Sequence, residues 1–397
     1  MIDKALLDEC RALVSRRSDE VVALCRSMVK VPSLPGEEGP VADLVLAAMQ
    51  ALDYDETWVD PAGNVVGIVQ GSAGPRTMFN GHMDIVDAGN PEDWAHPPFA
   101  GEIHDGYLWG RGSADMKGPL AAMIFAAGLF KAWGRVPRGD VVVCAVSLEE
   151  VGGWGSQLLL EHNDLGADRA VVGEPTDSHL LRGHRGRIIL QAHIKGKSMH
   201  GSIVDRDANP LFPLARFINA LPEASATLAK RVSYLTVTPT TIISSPAGPN
   251  LTPSDLTQTL DARVGPGVEA GVIRRELNGL LQKHLGPACL GGVEIARQGL
   301  RTYTGLESTV EDVVPGYELL PGDAWAREAG EHLRMALGYD PWGELARFTC
   351  DACRLGQAGI PTLLFGPGDI GLAHSADERI PIQQLLEGVV AYMALVL

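Results

Sequence analysis

Three short segments, each at the end of an apolar run, bring together side chains that can hold a metal ion or move a proton. They are Gly81-His82-Met83-Asp84, Arg111-Gly112-Ser113-Ala114-Asp115-Met116-Lys117-Gly118 and Ser147-Leu148-Glu149-Glu150. One imidazole and four carboxylates suffice to ligate two divalent cations and leave a spare base. His82 and Asp84 are two apart, so on an extended backbone both point to one face. An Asp beside a metal-bound imidazole accepts the other ring N–H and fixes the tautomer. The alternative is an ordinary hydrogen-bonded histidine at a strand end. Asp115 stands in a glycine-bounded loop before a helix, where its two oxygens can bridge two cations or cap the helix. Glu149 and Glu150 end an apolar strand, where adjacent side chains diverge, so one can bind metal while the other holds a water. Burying such an acid pair without a partner is costly, which favours a cation. Glu174, after another short apolar strand, and His374, in Ala373-His374-Ser375-Ala376-Asp377-Glu378, add two more donors.

These residues need elements that bring them to one place. Residues 64–70, 77–80 and 140–147 read as strands, the last with a continuous Val-Val-Val-Cys-Ala-Val core expected of a strand buried on both faces. Residues 18–29, 41–52, 119–133 and 155–162 read as helices, with Ser18 as the cap of the first. Such alternation predicts an α/β sheet with helices on both faces and its site at the strand carboxyl ends, where the three segments fall. From about Gly183 the pattern changes. Strands at 187–195, 233–243, 256–264 and 292–298 and helices at 210–221 and 268–284 give a β-α-β-β-α-β order, that of a ferredoxin-like unit. After Gly299 the α/β pattern resumes, with a helix at 323–337, a strand at 361–365 and a last helix from Ile382. The expected domains are therefore 1–182 and 300–397 as one catalytic domain and 183–299 as an inserted lid.

Composition narrows the classes. A chain of 397 residues that is 45% hydrophobic predicts packed globular domains. The net charge of −16 argues against a nucleic-acid partner, because no cationic excess exists to neutralise phosphates. The longest uncharged apolar run, 120–130, is far short of the ~20 residues a bilayer requires, and the N-terminus lacks the pattern of a signal peptide. A cytoplasmic protein without a membrane partner is expected. Six cysteines without a secretory signal do not suggest a disulfide framework. Cys350 and Cys353 form a lone CxxC, read as two reduced thiols near a helix start.

In this order, and with Gly-Arg-Gly-Ser-Ala-Asp-Met-Lys-Gly and Gly-Glu-Pro-Thr in place, the chain resembles the cocatalytic zinc hydrolases. That family includes acetylornithine deacetylase, succinyl-diaminopimelate desuccinylase, aminoacylase and glutamate carboxypeptidase. The resemblance spans nearly the whole chain and implies a zinc-exopeptidase-like mixed sheet plus a ferredoxin-like lid. It implies that His82, Asp115 and Glu174 bind one metal and Asp115, Glu150 and His374 the other, with Asp115 as the bridge. Asp84 would orient His82, and Glu149 would be the general base. His200 would be the lid histidine that reaches the partner subunit's site in a homodimer, and Asn250 and Arg263 would hold the substrate carboxylate. Two divalent ions are implied, zinc first, with cobalt or manganese as alternatives. The implied reaction is hydrolysis of the amide bond of a small N-acyl amino acid. The competing reactions are those of a dipeptidase or carboxypeptidase, or hydrolysis of a carbamoyl or aryl-amine C–N bond. The stretch around Cys350 and Asp351 departs from the family's usual Gly-Thr-Asp version, in a loop near the substrate pocket of relatives.

Overall fold

The computed structural model describes residues 3–203 and 205–397. Five strands of the first half, β1 (Glu56–Val59), β2 (Val65–Val69), β3 (Thr77–His82), β4 (Val141–Val146) and β5 (Arg169–Val172), join Thr362–Leu364 in one six-stranded sheet. Their order is β1-β2-β4-β3-β5 and then 362–364. β1, β2 and β4 pair antiparallel, and the remainder pair parallel. Every residue of β3 and β4 is buried, as their apolar runs require. Alternation along β4 divides its side chains between two cores: Val141, Val143 and Ala145 face one layer, Val142, Cys144 and Val146 the other.

The first layer contains α1 (Lys4–Arg16), α2 (Ser18–Val29), α3 (Gly39–Ala51) and α4 (Gly118–Trp133). Residues Gly118 to Phe130 of α4 are all buried, because the helix has no polar face and is enclosed by its neighbours. The second layer includes Leu159 of α5 (Trp154–His162). Helix α2 departs from expectation in one detail. It begins at Ser18 itself, and the Ser18 hydroxyl donates to the Ser15 carbonyl instead of capping. Only Arg17 separates it from α1, so the preceding helix end claims the hydroxyl.

The inserted unit runs through β6 (Gly186–Lys195), α6 (Leu211–Leu228), β7 (Thr236–Ser245), β8 (Asp255–Val264), α7 (Ala270–His284) and β9 (Leu290–Ile295). Its strands lie in the order β7-β8-β6-β9, all antiparallel, which is the ferredoxin-like arrangement. Burial alternates along β6 and β8, so one face packs on the helices. The expected strand 292–298 is broken at Ala296. Next to Ala296, β6 takes Val313–Val314 as its partner, and Arg297–Arg301 turns away to pair with Glu307–Glu311. That hairpin packs Leu300 against Ala62, Leu148 and Trp154 of the larger unit.

The chain returns to the first unit through α8 (Ala324–Leu337), capped by the Asp323 carboxylate, then α9 (Ala352–Gln357) and α10 (Ile382–Val396). α10 completes the first layer beside α4. Among the described residues no helix is long and apolar enough to cross a membrane.

A candidate two-metal centre at the strand ends

His82 is the last residue of β3 and is buried. Its Nδ1 lies 2.9 Å from the main-chain oxygen of Asp84, an atom that can only accept, so Nδ1 carries the proton. The lone pair of Nε2 then faces Asp115 Oδ1 at 3.2 Å. Two acceptors at that distance need a cation or an extra proton between them.

Asp115 comes from the irregular turn Ser113–Lys117, which precedes α4. Its other oxygen, Oδ2, is 3.3 Å from His374 Nε2, and the same nitrogen is 3.2 Å from Glu150 Oε1. Potential ligand atoms of His82, Asp115 and Glu174 lie within 4.8 Å of one another, and so do those of Asp115, Glu150 and His374. Asp115 is thus shared by two sets of donors. Glu174 follows β5 and buries an Oε1 that has no hydrogen-bond partner.

The electrostatics fit a site made for cations. Burial, followed by the charge of Glu174, pushes the Glu149 carboxyl well above the usual range. Burial and then Asp115 do the same to Glu174. Hydrogen bonds to Asp115 and Glu150 raise His374 to about 10. Burial alone would raise Asp115, but a hydrogen bond from His374, and one from His82 once an extra proton sits on its Nε2, hold it below the ordinary range. Acids this crowded retain their protons unless positive charge is supplied. Borderline nitrogen and hard oxygen donors suit zinc, cobalt or manganese.

The turn carrying Glu149 and Glu150 is fixed by other acids. The Asp84 carboxylate accepts from the N–H groups of Glu149 and Glu150 at 3.1 and 2.9 Å, and stands 3.7 Å from His82 Nδ1. Toward His82 it is therefore the Asp84 carbonyl, not the carboxylate, that makes the short contact. Burial raises the Asp84 carboxyl to about 7. Glu38, at the start of α3, accepts from the Leu148 N–H at 3.1 Å.

Comparison with known proteins decides the family. Residues 78–397 match the family described as Peptidase family M20/M25/M40. The chain belongs to this family. A proposed LysW-lysine/LysW-ornithine hydrolase of Pyrobaculum aerophilum is 30% identical over 92% of this chain and 94% of its own. The succinyl-diaminopimelate desuccinylase of Cereibacter sphaeroides is 28% identical over 92% and 94%. The fold is that of the Saccharomyces cerevisiae di-peptidase Dug1p, with a TM-score of 0.76 at 16% identity, covering 98% of both chains. As an M20 member the chain is a hydrolase of amide bonds.

The lid residues fall into two places in this M20 chain. His200 is exposed, its Nδ1 2.8 Å from Ser202 Oγ, and the N–H of Gly201 donates to the Asn250 carbonyl at 2.7 Å. Both follow the far ends of lid strands, about 30 Å along β6 from where it leaves the first unit. Arg263 is at the opposite end, paired in register with Arg187, and its guanidinium is held by Asp261 at 2.8 and 3.0 Å. One chain therefore does not bring Asn250 and Arg263 together.

Several residues around the centre had no assigned role. Glu378 is fully buried, accepts from the N–H groups of Ala114 and Asp115 at 3.0 Å each, and pairs with Arg111 at 2.7 Å. Its only signal in the sequence is an acid four residues after His374. Lys117 is also buried, and its ammonium donates to the carbonyls of Met28 and Val31. Asp351 is buried and accepts from the Ser156 hydroxyl at 2.7 Å. All six cysteines are free and buried.

Proposed function

We propose that this protein is a two-metal hydrolase that cleaves the amide bond of a small N-acyl amino acid. The observation that carries the reading is Asp115, with one oxygen aimed at His82 and the other at His374. His82, Asp115 and Glu174 would hold one ion, and Asp115, Glu150 and His374 the other. Two such ions supply Lewis-acid polarisation and lower the pKa of bound water. Glu149 takes the proton of the attacking water and gives it to the leaving amine. Asp84 holds the main chain of Glu149 and Glu150 in register for this work.

We further infer a homodimer built through residues 183–299, with 1–182 and 300–397 as the catalytic domain. His200 and Asn250 follow the lid-strand ends that lie about 30 Å along β6 from the first unit, and the exposed edge strand β7 offers Ile242 and Ile243 to a second copy. His200 would then stabilise the oxyanion of the partner's substrate. Asn250 from one subunit and Arg263 from the other would hold the substrate carboxylate. Six reduced thiols fit work in the cytoplasm. The desuccinylase relative favours an acyl amino acid; the dipeptidase likeness keeps a dipeptide as the second reading.

The test is a panel of acyl-amino acids and dipeptides, assayed with and without chelator, on the wild type and Glu149→Ala. Turnover should need metal, favour acyl-amino acids and fall at least 10²-fold in Glu149→Ala, with metal content unchanged. Unchanged turnover in that variant would remove Glu149 as the base, and a preference for dipeptides would select the second reading.

A further inference from the structure

We propose that His96, Glu102 and His104 form a third metal site, separate from the candidate centre, that takes a zinc-class divalent ion on the protein surface. Each of the three offers a ligand atom within 4.8 Å of the other two. His96 Nδ1 is 2.7 Å from Glu102 Oε2, and the two imidazole rings stand 4.6 Å apart between centroids. In a tetrahedral zinc site with ligand bonds of about 2.0–2.1 Å, donor atoms lie about 3.3 Å apart. Converting the present cluster to that geometry therefore needs only side-chain adjustment.

The backbone places two of the donors in advance. Glu102 and His104 flank Ile103, so alternation puts them on one face of the short strand Ile103–His104. That strand pairs with Tyr107–Trp109, and the Trp109 N–H donates to the Glu102 carbonyl at 2.9 Å. The Trp109 ring packs on His96 with centroids 4.5 Å apart, which holds the third donor against the hairpin. Two neutral imidazoles and one carboxylate form a borderline donor set suited to zinc, cobalt, nickel or copper. The site has a fourth position open to solvent, since His104 is exposed and the other two are half-buried. A bound divalent ion would leave this cluster at a charge of +1, in a chain whose net charge is −16. The site shares no ligand with the centre, and the N–H of Ala95, next to His96, donates to Asp377 Oδ1 at 2.7 Å, three residues beyond His374 in the chain.

The test is zinc titration of chelator-stripped protein, with bound metal measured by elemental analysis, on the wild type and on two variants. One variant is H96A/H104A and the other is Glu102→Gln. At saturation the double variant should bind one equivalent fewer than the wild type, and Glu102→Gln should bind the last equivalent at least tenfold more weakly. Both should keep the turnover of the wild type. Nickel added to the wild type should broaden the imidazole signals of His96 and His104. Equal metal content in wild type and double variant, with no such broadening, would overturn the proposal and leave a stacked pair of histidines and an ion pair. Because the measurement is a difference, it does not depend on how many ions the candidate centre holds.

Discussion

Asp115 faces both histidines only because other side chains hold its loop. Glu378 does this with one oxygen on the N–H groups of Ala114 and Asp115 and the other on Arg111. Arg111 and Glu378 are both buried, so removing one partner strands the other in a dry interior. Glu378→Ala should therefore destabilise the chelated protein by about 3–5 kcal/mol, measured by urea unfolding. It should also weaken zinc binding by about 10–100-fold, measured by titration; stability and affinity near those of the wild type would reject this role. The candidate donor set was legible in the sequence as a pattern, because its members stand in short, distinctive segments, most of them soon after apolar runs. Glu378 was not, since its partners are main-chain groups and an arginine more than 260 residues earlier. The Asp84 contact shows the same limit. A spacing of two places Asp84 near His82, but only the folded turn gives its carboxylate to the N–H groups of Glu149 and Glu150.

The connection from β4 to α5 sets where Glu149 stands. Leu148 takes a positive φ of 55°, and the carbonyl of Glu149 accepts from the N–H groups of Gly152 and Gly153. Gly155 then passes so close to the strand end that a Cβ there would lie 1.8 Å from the Ser147 carbonyl oxygen. Gly155→Ala must push α5 away from β4 and drag the turn with it. The expected cost is about 1–3 kcal/mol of stability and about 10–100-fold in kcat. Thermal unfolding and steady-state kinetics check both, and wild-type kinetics would show that this contact does not position Glu149. Strand and helix periodicity carried most elements to within a few residues, β4 and α4 most plainly. The break at Ala296 was not legible, because it depends on Val313–Val314 claiming the edge of β6 from a distant part of the chain.

The sheet order and the separation of the lid residues belong to the assembled molecule. Nothing local states that β4 sits between β2 and β3, or that Asn250 and Arg263 end up at opposite ends of one strand. That separation is the basis of the proposed second copy. If the proposed homodimer forms through this edge strand, Ile242→Lys should leave a monomer in analytical ultracentrifugation and lower turnover at least tenfold. A fully active monomer would remove the in-trans role of His200. A pair of ions bridged by Asp115 can be seen by anomalous diffraction from zinc-loaded crystals. Two peaks about 3.5–4 Å apart are expected on either side of Asp115, one beside His82 and Glu174, the other beside Glu150 and His374. A single peak, or a pair that does not share Asp115, would contradict it.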